Sequence, residues 1–124
     1  MKKLEKMLWE GVDENNLRKV ALALNLGANV DAKGWNDQTP LHWAVRGVNI
    51  ALAKLLIDSG ANVNAKDKNG DTPLHRAIGR NIAIAKLLIA SGADVNAKNN
   101  KGNTLLDWTQ SQKMKALLKQ HGAI

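Results

Sequence analysis

The chain has no cysteine, no phenylalanine and no tyrosine, and only two prolines in 124 residues. Without cysteine, disulfide staples, thiolate metal sites and cysteine nucleophiles are excluded, and a reducing, cytoplasmic setting is expected. Tryptophan is the whole aromatic set, so any stacking surface has to use Trp9, Trp35, Trp43 or Trp108. No apolar run approaches the roughly 20 residues that span a bilayer. The opening MKKLEKMLWEG starts basic but carries Glu5, Lys6 and Glu10 where an exported chain needs unbroken apolar sequence, which argues against a secretory signal. Acids are also few: 11 Asp and Glu against 18 Lys and Arg, a formal net charge of +7. Such a balance favours acidic partners, whether protein, nucleic acid or lipid headgroups. The cations are spread along the chain, and Asp31, Asp37, Asp67 and Asp71 interleave with them. That distribution disfavours nucleic acid and membrane surfaces.

What the chain does have is repetition. Thr39-Pro40-Leu41-His42 returns 33 positions later as Thr72-Pro73-Leu74-His75. Gly60-Ala61-Asn62-Val63-Asn64-Ala65-Lys66 returns after 32 as Gly92-Ala93-Asp94-Val95-Asn96-Ala97-Lys98. A fixed period of this length marks a stacked-repeat architecture, which buries a slab between neighbouring units and has no central core. The period divides one domain into units 1–33, 34–66, 67–98 and 99–124.

Each unit reads as two short helices. Thr39 and Thr72 sit at N-cap positions, with Pro40 and Pro73 at the first helical residue, where a missing N–H costs nothing. Asn49 and Asn81 cap the second helices, and Ser111 caps the last. Gly27, Gly60 and Gly92 follow the final apolar turns, the place for a left-handed residue. Between units, VNAKDKNGDT alternates apolar and polar residues around Asn69-Gly70 and predicts a short β-hairpin. In the first unit a helix over Lys2–Glu10 is expected to break at Gly11. Asp13 would then cap a second helix with Leu17, Val20, Ala21 and Leu24 on its apolar stripe. The third unit is one residue shorter than the second at the turn between its helices. Charged helices in the first and last units suggest a complete array.

In their combination of period, TPLH tetrapeptide and GA(N/D)VNAK segment, essentially all of these residues resemble the ankyrin-repeat family. The resemblance implies an all-α repeat solenoid of stacked helix-turn-helix units joined by β-hairpin loops. Hairpin tips and first helices would line a concave face that binds proteins and does no catalysis. It also implies that the imidazoles of His42 and His75 bond to Thr39 and Thr72 and tie units together. Two positions depart from the family pattern: Asp37 stands where Gly70 and Gly102 sit later, and Val48 stands where the inter-helix turn normally has glycine.

No phosphate loop, nucleophile elbow or paired-acid motif is present, and neither His42 nor His75 has a carboxylate or second histidine at catalytic or ligand spacing. No enzyme, cofactor or metal site is therefore expected. Trp43, Arg76 and Trp108 each follow the fourth residue of the tetrapeptide. Units packed about 8–10 Å apart would align them, with the guanidinium between two indoles; the alternative is two core tryptophans with Arg76 snorkelling outward. Trp35, near a hairpin tip, is either folded back on the first unit or exposed as an anchor for a partner. Lys33, Lys66 and Lys98 form a second file, with Lys68 and Lys101 at the tips. These cations are either a solvated face or a groove for an acidic protein segment. The expected contact set is Trp35, Gln38, Arg46, Lys66, Lys68, Asp71, Arg80, Lys101 and Asn103, on a monomer. A consensus-like scaffold without a partner is the remaining alternative, against which the irregular turns count.

Overall fold

A computed structural model describes residues 2–124; Met1 of the first unit lies outside it. Four helix pairs follow one another: α1 (Lys3–Asp13) with α2 (Leu17–Asn25), α3 (Pro40–Arg46) with α4 (Ile50–Asp58), α5 (Pro73–Ala77) with α6 (Ile82–Ala90), and α7 (Leu105–Trp108) with α8 (Gln112–Gln120). Their side chains meet in one continuous slab. Leu8 and Val20 of the first pair, Leu41 and Leu56 of the second, Leu74 and Leu88 of the third, and Leu105 and Leu118 of the fourth are all fully buried.

Local chemistry starts the helices where the sequence places the caps. The hydroxyls of Thr39 and Thr72 accept from the backbone N–H of His42 and His75, and Thr104 does the same for Asp107. Asn49, Asn81 and Ser111 accept from Leu52, Ile84 and Met114. Gly27, Gly60 and Gly92 adopt φ of 104°, 94° and 99°, the left-handed region that only glycine enters without strain.

The first unit differs from expectation. Its first helix runs through Gly11 to Asp13, and the cap of α2 is Asn16, which accepts from Lys19 N. Gly11 does not break the helix because it lets α2 approach: a β-carbon there would meet Val20 Cγ2 at 2.8 Å. The buried face of α2 is Val20 and Ala23, while Leu17 is exposed.

The loops between units are not β-hairpins, and no strand occurs among the described residues. Each loop is closed by one backbone bond between its ends, Gly34 N to Gln38 O, Asp67 N to Asp71 O and Asn99 N to Asn103 O, and tightened by a turn bond inside it, Asp37 N to Gly34 O, Gly70 N to Asp67 O and Gly102 N to Asn99 O. Other donors turn sideways to the adjacent loop, as Lys68 N does to Asn36 O and Asn100 N to Asn69 O, both at 2.9 Å. The remaining ones turn inward, where Asp67 Oδ1 accepts from Asn69 N and Asp71 N. No donors remain for a ladder within one loop. A second ladder joins the segments after α2, α4, α6 and α8: Asn62 N donates to Asp31, Asp94 N to Asn64, and Ile124 N to Asn96. Its first rung comes from a helix, where Glu5 accepts from Asn29 N at 2.7 Å.

Candidate interaction surface

His42 and His75 each bond to their own helix cap and to the loop of the next unit. Nδ1 of His42 accepts from Thr39 N at 3.1 Å, which leaves Nε2 to donate to the Asp71 carbonyl of the next unit at 2.9 Å. His75 repeats the arrangement with Thr72 N and, at 3.4 Å, Asn103 O. Burial pushes both imidazoles below the usual histidine pKa, so they serve as neutral cross-braces. In the first unit Trp9 holds the equivalent place, seven residues before the cap Asn16 as His42 is seven before Asn49. Its indole N–H donates to Ala32 O. The spacing to the cap is the signal that identifies Trp9; comparing tetrapeptides misses it.

The expected Trp–Arg–Trp stack does not form. Arg46 is the cation over the Trp43 ring, 5.1 Å from its centre. Arg76 instead reaches into its own loop, with Nη2 at 2.7 Å from Asp67 Oδ2 and 3.7 Å from Asp71 Oδ2. Two carboxylates buried in the loop hold the guanidinium more strongly than indole faces would. Burial alone would push the Asp67 carboxyl up, but Arg76 and the N–H groups of Asp71 and Asn69 outweigh it and hold the pKa below the usual value. The tryptophans pack edge-on against the ring of the preceding unit: Trp43 on Trp9 at 6.3 Å and 84°, Trp108 on His75 at 5.3 Å and 77°. Each indole therefore contacts the ring one unit back, and neither contacts Arg76 through its ring face.

The expected contact residues separate into two groups. Gln38 and Asp71 are only 5% and 4% exposed. Both turn into the stack at the loop ends, where Asp71 accepts from the Asn99 amide, so neither presents a side chain to a partner. Asn103 is half-buried, its N–H held by Asn99. Trp35, Arg46, Lys66, Lys68, Arg80 and Lys101 are exposed. Trp35 is 70% exposed at a single 3₁₀ turn, Trp35–Asp37. The ring that lies against Gly34, the residue before it, is that of Trp9. The lysine file is also present: Lys33 Nζ lies 3.4 Å from Lys66 O, and Lys66 Nζ 3.2 Å from Lys98 O. Arg46 and Arg80 pair with no carboxylate among the described residues. With Asp67 and Asp71 buried, two of the four acids that interleave with the cations are withdrawn from the surface.

Among the described residues no group of three or more His, Cys, Asp or Glu could hold a metal ion, and no helix is long and apolar enough to cross a membrane. Residues 8–99 match the family model described as ankyrin repeats, in three copies. No curated protein sequence matches the chain.

Proposed function

Because the chain belongs to the ankyrin-repeat family, whose members are generally non-catalytic protein-interaction modules, we propose that it is a monomeric module that binds an acidic segment of a protein partner. The observation that carries this reading is the pairing of an indole 70% exposed at a loop tip with exposed cations that have no carboxylate partner among the described residues. Trp35 supplies the anchor, since large aromatic side chains carry a disproportionate share of interface energy. Lys66, Lys68, Lys101, Arg46 and Arg80 supply the charge that attracts and orients the segment. A frame of buried caps and braces loses little conformational freedom on binding, which leaves more of the contact energy as affinity. We place the module in the cytoplasm, because a chain without cysteine makes no use of an oxidising compartment.

The test is capture of partners from nuclease-treated lysate at two salt concentrations, beside the variant carrying Trp35→Ala and Lys68→Glu. A partner of this kind is recovered at low salt, weakens toward physiological salt, and is lost with the variant. Losing Trp35 alone is expected to cost about 2 kcal/mol, roughly thirtyfold in affinity. Recovery unchanged in the double variant would place the binding surface elsewhere. Binding abolished by nuclease would favour nucleic acid.

A further inference from the structure

The first helices shorten along the chain: α3 has seven residues, α5 five and α7 four. The distance between caps shortens with them, from ten residues (Thr39 to Asn49) to nine (Thr72 to Asn81) and then seven (Thr104 to Ser111). After Trp108 the backbone turns extended at Thr109, whose buried hydroxyl accepts from Ser111 N and holds the shortened turn tight. The wall that a longer α7 would have formed beside α5 is therefore missing, and a cleft opens between the third and fourth units.

Two adjoining cavities make up this cleft. One, of about 510 Å³, is lined by His75, Arg76, Ile78, Gly79, Arg80 and Trp108. The other, of about 350 Å³, continues from Trp108 to Ser111 and Met114. Their shared walls are chemically one-sided. Trp108, 41% exposed, and Ile78 are apolar, and a β-carbon on Gly79 would meet nothing within 4 Å, so a ligand can approach the backbone there. The only charged groups lining them are Arg76 and Arg80. Arg76 is committed to Asp67, whereas among the described residues Arg80 has only a carbonyl contact, to Arg46 O at 3.5 Å.

We propose that this cleft is a pocket for one acidic side chain of a protein partner, with an apolar neighbour of that acid lying on Trp108. The carboxylate would take the fork of Arg80 in place of its long contact to Arg46 O, and a guanidinium suits two-point recognition better than a lysine would. This inference rests on the reading of the chain as a protein-binding module, but it assigns a specific pocket that is distinct from the Trp35 tip.

The experiment is an NMR titration of ¹⁵N-labelled protein with three small probes: N-acetyl-Asp-Phe-amide, its Asn analogue and its Lys analogue. The Asp peptide is expected to shift the Gly79 amide and the Trp108 indole saturably, and to bind about fivefold more tightly than the Asn peptide. Arg80→Gln should erase the difference between those two probes, while Trp35→Ala should preserve it. No shift at Gly79 and Trp108, equal binding of the Asp and Asn peptides, or tighter binding of the Lys peptide would each overturn the assignment. A partner captured through Trp35 while these peptides fail would remove the pocket and leave the proposed function standing. Peptide binding without a partner lost on Trp35→Ala would do the reverse.

Discussion

Trp9 occupies the space that a side chain at Gly34 would need: a β-carbon there would lie 2.9 Å from Trp9 Cζ2. The later loops make the opposite choice, with a histidine in the helix and Asp67 or Asn99 in the loop. Those Asx side chains accept from the loop N–H groups of Asn69 and Asp71, and of Lys101 and Asn103. Gly34 has no such acceptor to offer, and Asn36 takes a φ of 57° that its counterparts in the later loops do not; the left-handed position after it, Gly70 and Gly102 at 77° in those loops, is Asp37 at 58° here. Gly34→Asp, which copies the later loops, is therefore expected to destabilise the protein by about 1–3 kcal/mol through overpacking. Adding Trp9→His should return part of that loss. A urea double-mutant cycle measures the coupling, and strictly additive costs would show that the two positions do not compete for space.

Arg76→Leu leaves Asp67 and Asp71 buried without their counter-charge. The expected cost near neutral pH is about 3–5 kcal/mol, with the emission of Trp43 and Trp108 in the folded protein unchanged because neither ring packs on Arg76. The sign of the pH dependence follows from Asp67. Its folded pKa is depressed, so its contribution is present above the unfolded value near 3.8 and fades as pH falls through the folded value. The deficit of the variant should therefore shrink below about pH 4. Equal stability of variant and parent at pH 7 would mean that the ion pair contributes nothing.

Much of the frame was legible because its determinants are local. Thr39, Thr72, Asn49, Asn81 and Ser111 cap helices through side chains within three residues of the N–H groups they serve, and Gly60 and Gly92 need only their own φ. What could not be read depends on where a side chain turns once the units are stacked. Arg76 follows the same tetrapeptide position as Trp43, yet Asp67 draws it into the loop, an attraction visible only when the burial of Asp67 is known. Gln38 and Asp71 occupy loop ends that look exposed in sequence and are buried by the neighbouring loop. Trp9 was hidden because its partner is an absence, the missing side chain of Gly34.

Both cross-brace histidines have folded pKa values below the ordinary 6.5. A group of this kind binds its proton more readily in the unfolded chain, so stability is full above about pH 7 and falls as pH drops below about 6.5. Each histidine can contribute a slope of up to about 1.4 kcal/mol per pH unit in that window. The effect is separate from that of Asp67, which begins lower, near its unfolded value. Urea midpoints at pH 7.5, 6.5 and 5.5 should decline for the parent and flatten for the variant with His42→Gln and His75→Gln. A parent protein equally stable at all three values would mean that the imidazoles titrate alike in both states.

Val48 has φ of 52°, a left-handed conformation that β-branched side chains enter only under strain. The equivalent residue of the first unit, one before the cap Asn16, is Asn15, with nearly the same φ of 53°; asparagine tolerates this region far better. Val48 N bonds to Val45 O, and Asn49 N reaches back to Ala44 O at 2.8 Å, so the turn between α3 and α4 depends on that conformation. The side chain is itself 37% exposed, which limits what its removal loses. Val48→Gly relieves the β-carbon clash while making the unfolded chain more flexible, and Val48→Asn relieves much of it without that entropic cost. The expected outcome is a gain of about 1 kcal/mol for Val48→Asn, with a smaller gain for Val48→Gly. Urea midpoints read both changes directly, and a lower midpoint for Val48→Asn would show that the valine methyls hold the turn more firmly than the strained backbone opposes it.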